Sequence, residues 1–586
     1  MFAIIGVSIF ALGLFYWLKL INANIRAVIF GVLVISVSFK MTEILRFPNA
    51  VHTAAWYPWI LYGLTRIILS RSVRDAVISA ALLCFFLICF CTAGYPYYVY
   101  YSVFLFVPYL FVFLIRPLRA QLVGAQPVCW RRVVIALTIV GFITGIICIP
   151  YLSSIKNLMA QVADRSGRNY EYSVWHQFSF EDTVGSLVYP PAAQSEGWYF
   201  FSITALLIIL LYLFTKSADK SPSGSYFSRE ITVKIFFVLW VGIISYISYG
   251  KNSYLFTFLW KYMPGFSSLR TWGRLNIILL PILAWLLSLA FNRFENIIFD
   301  SVQMENKGFC KKNQVILTLV LSYVIILCIQ LYLILNKVYD IYWKEYLRLS
   351  SYNTLWFLYL GSSAFVVILL ILIVAGKFVL KSVKVLTIIV FLLIISAVFE
   401  MWPIGTHTWT YTGKSLNGRM RLDVDRINQA SFDFSRIDGR DSISLTPVFN
   451  AGILPNWYFD RYVKFLEKNS DNLQARKILL GVIGKQRVFF SMSIDYKTIE
   501  DFLNDSLQYK NHGHLLSYTG DELQWQIQAP VSGYISFIDN WDKGWKAFVD
   551  GQEAKIELLF GTFKSVAVKE GYHQIKFIYK PGLFIL

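Results

Sequence analysis

Apolar side chains fill long unbroken stretches over the first four hundred positions, after which apolar and polar residues begin to alternate in short segments. A stretch of roughly 18 or more apolar residues is long enough to cross a hydrocarbon core as a helix. About twelve such stretches are present, near 2–20, 27–43, 50–69, 76–94, 97–115, 133–152, 198–215, 232–248, 273–292, 314–336, 355–376 and 384–402. The run 27–43 turns polar in its last turn and is the weakest of them. Beyond Trp402 the period changes from that of buried helix to that of half-buried strand.

The strand signal is clearest from residue 511 onward. In "ELQWQIQA" Leu523, Trp525 and Ile527 alternate with glutamines, and "GYISFID", "GWKAFVDG", "AKIELLF", "KSVAVKEG" and "HQIKFIYKPG" follow, separated by Gly, Asp and Asn. Short alternating strands at this spacing predict an antiparallel sandwich. Residues 404–510 mix strand-like pieces with helical ones such as "DNLQARKILLGVIG" and "YKTIEDFLNDSLQY". The expected organisation is therefore a polytopic all-α membrane bundle over 1–402, with an outer loop at 153–197. A mixed α/β region over 403–510 and a β-sandwich module over 511–586 follow it.

Composition supports the membrane reading, because 56% of the 586 residues are hydrophobic and 17% aromatic, outside ordinary soluble usage. A net charge of +19 raises the possibility of nucleic acid as a partner, but its placement argues against that. Residues 403–586 are nearly balanced, with 22 basic and 20 acidic side chains. The excess clusters beside the helices, at Arg66/Arg71/Arg74, Arg116/Arg119/Arg131/Arg132, Lys216/Lys220/Arg229, Arg293/Lys307/Lys311/Lys312 and Lys377/Lys381/Lys384. These are every second loop, which the positive-inside bias places in the cytoplasm. The N-terminus, the alternate loops and everything after Trp402 are then expected outside, with the protein in a bacterial cytoplasmic membrane.

Several features carry little. All seven cysteines precede residue 330, and those inside apolar runs read as small hydrophobes. "TGKS" at Thr412–Ser415 lacks the first glycine of a phosphate loop, since Thr408 stands there. His512 and His514 have no Cys or carboxylate cluster nearby in sequence, so they read as a solvated loop and not as half of a metal site; no cofactor is expected, and a divalent-metal requirement is left open.

The C-terminal strands are the most specific part of the chain. "YISFIDNWDKGWKAFVDGQEAKIELLFGTFKSVAVKEGYHQIKFIYKPG" resembles the terminal module of the YfhO-type bacterial membrane proteins. The matching positions are Gly544-Trp545, Val549-Asp550-Gly551, Gly571, His573, Ile575, Phe577, Tyr579 and Pro581. "RFPNAVHTAAWYPWILYGLTR", "CTAGYPYYVYY", "SLVYPP" and "YMPGFSSLRTWGRLNIILLPILAWLLSLAF" are similar to that family's spans in the same order. Because the family resembles GT-C glycosyltransferases, the resemblance implies handling of a polyprenyl-phosphate-linked sugar donor for a cell-envelope glycan acceptor at the outer face. It also implies that the chain starts at the family's second span and stops before its last, so that the loop with the catalytic aspartate is missing and the chain as given is catalytically incomplete.

A phosphate leaving group calls for fixed guanidinium donors. Arg270 and Arg274 in "LRTWGRLN", and Arg165 and Arg168 in "DRSGRNYEYSVWHQFSFED", are the candidates, expected to converge on one cavity; snorkelling to headgroups is the plainer alternative. Glu43, Glu171 and Asp182 are the acids that could substitute as base, although Glu43 is equally explained by pairing with Arg46. His52 reads as a hydrogen-bonded interfacial residue. Trp541, Asp542 and Trp545 could form a glycan platform, against the plainer expectation that Trp545 is buried and Asp550-Gly551 is a hairpin turn. A polytopic transporter and a non-catalytic glycan-binding scaffold are the competing readings.

Overall fold

In a computed structural model the described residues are 2–21, 24–123, 128–161, 170–174, 177–188, 196–215, 225–303, 309–335, 391–393, 395–397, 400, 488–506, 513–518, 522–541, 544–561 and 563–580. They fall into two compact units. One comprises Met1–Cys148 and Glu171–Lys414, the other Ile149–Tyr170 and Ser415–Leu586.

The first unit is helical. It begins with α1 (Phe2–Ile21), α2 (Ile25–Ser36), α3 (Phe39–Glu43), α4 (Pro48–Ala55), α5 (Tyr57–Ile68) and α6 (Val73–Thr92). It continues with α7 (Pro96–Tyr101), α8 (Val103–Leu114), α9 (Arg116–Leu122), α10 (Trp130–Gln161), α11 (Tyr170–Val174) and α12 (Phe180–Val188). The last described helices are α13 (Ile203–Phe214), α14 (Ser225–Ser248), α15 (Tyr254–Tyr262), α16 (Leu279–Gln303) and α17 (Phe309–Leu335).

Among the described residues seven helical segments are long and apolar enough to cross a membrane: Ala3–Ile21, Val73–Thr92, Pro96–Leu114, Trp130–Ser153, Ile231–Ser248, Trp272–Ile297 and Val315–Tyr332. Ile25–Ser36 and Ile203–Phe214 are shorter apolar helices. The expected span 355–376 lies outside the described residues, as does most of 384–402. The expected runs 27–43 and 50–69 are not continuous helices. The first breaks at Val37-Ser38, where the Phe39 N–H donates to the Phe200 carbonyl at 2.9 Å instead of continuing the ladder. The second breaks at Trp56, just before Pro58, a residue that removes one ladder donor.

Burial ranks the spans. The Trp272–Ile297 segment is 89% buried and Trp130–Ser153 only 28%, so α16 is the centre of the bundle and α10 lies at its edge. Close packing onto α16 depends on Gly31 of α2, where a Cβ would lie 2.8 Å from the Ala284 carbonyl oxygen. Small residues permit this approach where lipid offers no hydrophobic drive for helix association. Phe30 then stacks on Phe291 at 4.5 Å, and Arg26 pairs with buried Glu295 at 2.8 Å.

The second unit contains two antiparallel sheets. Strands β1 (Val488–Ser491), β4 (Gly533–Asn540), β8 (Phe563–Val568) and β7 (Glu557–Leu559) form one, in that spatial order. Strands β2 (His514–Tyr518), β3 (Glu522–Ala529), β9 (Gly571–Tyr579), β5 (Trp545–Val549) and β6 (Gln552–Ala554) form the other. Both feed one hydrophobic cluster, with Phe490, Phe537 and Val566 from the first and Trp525, Ile575 and Phe577 from the second. The helix Ile499–Ser506 packs Phe502 against Phe489 and Phe560.

Candidate functional site

Three short, irregular pieces of the helical unit meet around a chain of charges. The first is α3, only five residues long, which places Lys40 and Glu43 on one face at i, i+3. Lys40 Nζ donates to Glu43 Oε2 at 3.0 Å, and also to the backbone carbonyl of Glu196. The second piece is the turn at Glu196-Gly197, and the third is the 3-10 segment Trp272–Ile278 that leads into α16. Arg274, on that segment, donates from Nε to Glu196 Oε2 at 2.7 Å.

The turn and the 3-10 segment approach closely because both carry glycine where they touch. A Cβ on Gly197 would stand 3.0 Å from the Gly273 Cα and 2.4 Å from the Phe178 ring. Asn276 Nδ2 fastens the same turn by donating to the Gly197 carbonyl at 2.8 Å. Thr271, at the head of the segment, has φ 57°, a left-handed conformation that is a true outlier for a β-branched residue and costs of order 1–3 kcal/mol. Such strain is often held at sites where side-chain placement matters.

Tyrosines line the other side. Gly94, at φ +92°, and the pre-proline Tyr95 turn the chain out of α6 and into α7, and Asn49 secures the bend with a 3.1 Å bond to the Gly94 carbonyl. The Arg274 guanidinium lies 5.5 Å from the Tyr97 ring centroid, within cation–π range. Tyr97 packs edge-on against Tyr101, which contacts Trp272, itself stacked on Phe266 at 3.8 Å. The Tyr95 phenol is pushed up to about 12 by burial, an effect that the nearby Arg274 opposes and Glu196 reinforces.

Glu43, Lys40, Glu196 and Arg274 thus form a balanced set of two carboxylates and two cations. Lys40 and Glu43 are almost fully buried, whereas the Arg274 and Glu196 side chains keep 17% and 28% of their surface. The set has one closed end and one accessible end. Chemically it combines a carboxylate held against an ammonium with a guanidinium that another anion could reach.

The expected site residues separate accordingly. Glu43 and Arg274 belong to this one chain of contacts, and Glu43 pairs with Lys40; the side chain of Arg46 is outside the described residues. Arg270 is half-buried in the loop beside Thr271. Arg165 and Arg168 lie outside the described residues, so the expected convergence with them is not visible. Glu171 is exposed on the single turn α11. Asp182 is buried, accepts from Ser179 N at 2.9 Å, and its own N–H donates to Ser179 Oγ at 3.0 Å; this is the reciprocal pairing of a helix N-terminus. Burial raises its carboxyl above the ordinary range, with the Ser179 bonds opposing.

In the β unit, Trp541 is half-buried and Asp542 lies outside the described residues. Trp545 is half-buried instead of largely buried: its ring meets Tyr579 at 5.3 Å, and the fully buried Lys564 places Nζ 3.8 Å from its centroid. Asp550-Gly551 is a hairpin turn as expected, with φ of 51° and 81°. The side chain of His514 and all of His512 are outside the described residues, and no group of three or more metal-ligating side chains occurs among those described. Sequence reasoning missed Lys40, Glu196 and Tyr97; their one available signal was Lys40's place three residues before Glu43 in an otherwise apolar run. Comparison of the chain with family models, curated proteins and solved structures found no match.

Proposed function

We propose that this protein is a GT-C-like membrane protein of the YfhO type, with about twelve spans and an outer β-sandwich, that handles a polyprenyl-phosphate-linked sugar, with Glu43 as the substitute base. The observation that carries the reading is the linkage of Glu43 to Arg274 through Lys40 and Glu196. In this proposal Arg274 receives the donor phosphate after Glu196 swings away, and Glu43, bonded to Lys40, accepts the proton of the glycan hydroxyl once that movement opens the closed end of the set. Tyr97 and Tyr95 provide aromatic surface for the sugar beside the guanidinium. The sandwich module positions the acceptor, and the acceptor is a cell-envelope glycan at the outer face.

The test is sugar transfer from a polyprenyl-phosphate donor to envelope polymer, measured in membranes containing the wild-type chain, Glu43→Gln or Arg274→Gln. Each substitution should reduce transfer at least about 100-fold. Full transfer by both variants would remove these residues from the chemistry.

A second reading, transport, draws on one feature. Lys40 and Glu43 form an ionisable pair inside an apolar bundle, and such residues commonly mark ion or substrate pathways. Uptake of an ion by vesicles carrying the wild-type chain, lost in Glu43→Gln, would favour it over transfer.

A further inference from the structure

The α6 and α10 helices run parallel at the edge of the helical unit, in contact at two levels. Cys84 Sγ contacts the Val140 carbonyl at 3.8 Å, and two turns further along both helices the thiols of Cys91 and Cys148 are near enough to influence each other. Between the two helices, from Val73 to Cys84 on α6 and from Arg131 to Ile143 on α10, lies a groove of about 510 Å³. Ala76, Ala80 and Cys84, which recur every four residues, line it from α6, and Ile135, Ile139 and Ile143 line it from α10.

The dimensions of this groove are those of one lipid chain. From Val73 to Cys84 a helix rises about 16 Å, close to half of a hydrocarbon core of about 30 Å. The groove opens outward, since Val77, Ile135 and Ile139 are each at least half exposed. It is also chemically divided. The walls are apolar, whereas Arg131 and Arg132 line its far end.

That end is strongly electropositive. Arg132 Nη1 donates to the Ser70 carbonyl at 2.9 Å, which brings the 70–74 turn beside the start of α10 and with it the exposed Arg71 and Arg74. Arg131 is exposed at the mouth. Both helices begin here, so their free N–H groups add positive potential. The opposing charge is Asp75, which accepts from the Ser72 hydroxyl at 2.8 Å. Four arginines against one carboxylate, at the interfacial end of a leaflet-deep apolar groove, complement an anionic headgroup on an acyl chain.

We propose that this groove binds an anionic diacyl phospholipid, one acyl chain lying between α6 and α10 and the headgroup phosphate held by Arg131 with Arg71 and Arg74. The site is separate from the Glu43–Arg274 chain and does not depend on its function. Lipid here closes a gap between a peripheral helix and the bundle.

The test uses the purified full-length protein in non-denaturing detergent, titrated with phosphatidylglycerol or with phosphatidylcholine of identical chains and read by native mass spectrometry. Wild type should hold one phosphatidylglycerol at least about tenfold more tightly than phosphatidylcholine. The triple variant R71Q/R74Q/R131Q should lose that preference, and Ala80→Phe, which fills the groove without changing charge, should lose the tight site for both lipids. Should Ala80→Phe fail to assemble, brominated-chain lipids supply a second readout: the fluorescence difference between wild type and Trp130→Phe should be quenched more by the phosphatidylglycerol form. Equal affinity for the two lipids in wild type, preference retained by the triple variant, or equal quenching by the two brominated lipids would each overturn the proposal.

Discussion

Lys40 and Glu43 neutralise each other across 3.0 Å with no more than 2% of either side chain exposed, in a helix of five residues that exists only between two breaks. Burying two charges costs more than their attraction returns unless further bonds are made, and here Lys40 also reaches the Glu196 carbonyl. Removing one partner leaves the other buried without its counter-charge. Lys40→Met and Glu43→Leu should each destabilise the protein by about 3–5 kcal/mol, whereas the double variant Lys40→Met/Glu43→Leu should recover much of that loss. Thermal unfolding of the full chain in detergent, read as a double-mutant cycle, checks it; additive losses would contradict the pairing.

The Gly197–Gly273 contact sets the position of Glu196 relative to Arg274. A methyl at position 197 would fall 2.4 Å from the Phe178 ring and 3.0 Å from a backbone carbon, and only the ring can move. Gly197→Ala should therefore cost about 1–3 kcal/mol. It should also part the 2.7 Å Arg274–Glu196 bond, whereas Gly141→Ala, where a Cβ meets nothing within 4 Å, should be harmless. Melting temperatures of the two variants make the comparison.

Much of the architecture is legible because apolar run length and strand alternation are local properties. The runs 2–20, 76–94, 97–115, 133–152, 232–248, 273–292 and 314–336 each overlap one of the seven long apolar helices, and "GWKAFVDG" becomes a strand and its turn as its alternation predicts. The breaks at Val37-Ser38 and Trp56 escape notice because side-chain hydropathy does not report which backbone group a neighbouring segment will satisfy. The candidate site is legible only in halves. Glu43 and Arg274 stand out as charges beside apolar runs, but the residues that join them, Lys40 and Glu196, act through a tertiary contact between distant segments. Trp545 misleads for a related reason: its packing depends on Lys564, a lysine whose full burial on an alternating strand no local pattern announces.

In the C-terminal unit two separate sequence features are one structural device. Asp550, in the hairpin turn, accepts from the Gln574 N–H at 2.8 Å and contacts His573 Nδ1 at 2.6 Å, so the Asp-Gly turn and the Gly-x-His start of β9 hold each other. The Gln574 N–H, then His573, draw the Asp550 carboxyl below its ordinary value. The folded hairpin therefore holds the proton less tightly than the unfolded chain. Its contribution is complete above the ordinary carboxylate range and is lost as pH falls through the lowered value. Hydrogen-exchange protection of 545–554, corrected for intrinsic rates, should fall across that acidic window in the wild type and stay flat in Asp550→Asn. Because the carboxylate is half exposed, the change should be small.

The parallel packing of α6 and α10 makes a covalent prediction. Seven residues separate Cys84 from Cys91 and eight separate Val140 from Cys148, rises of about 10 and 12 Å, so helices in contact at the lower pair remain in register at the upper one. The two upper thiols neighbour each other, and a disulfide can close between them if the backbones permit the usual Cα spacing. Mild oxidation of the full chain in membranes should yield a single major linked peptide joining Cys91 to Cys148, restored to two by reductant and absent from Cys91→Ser and Cys148→Ser alike. Helices that crossed steeply above Cys84 would separate these sulfurs, so free alkylation of both thiols after oxidation would contradict the parallel arrangement and, with it, the shape of the groove beneath.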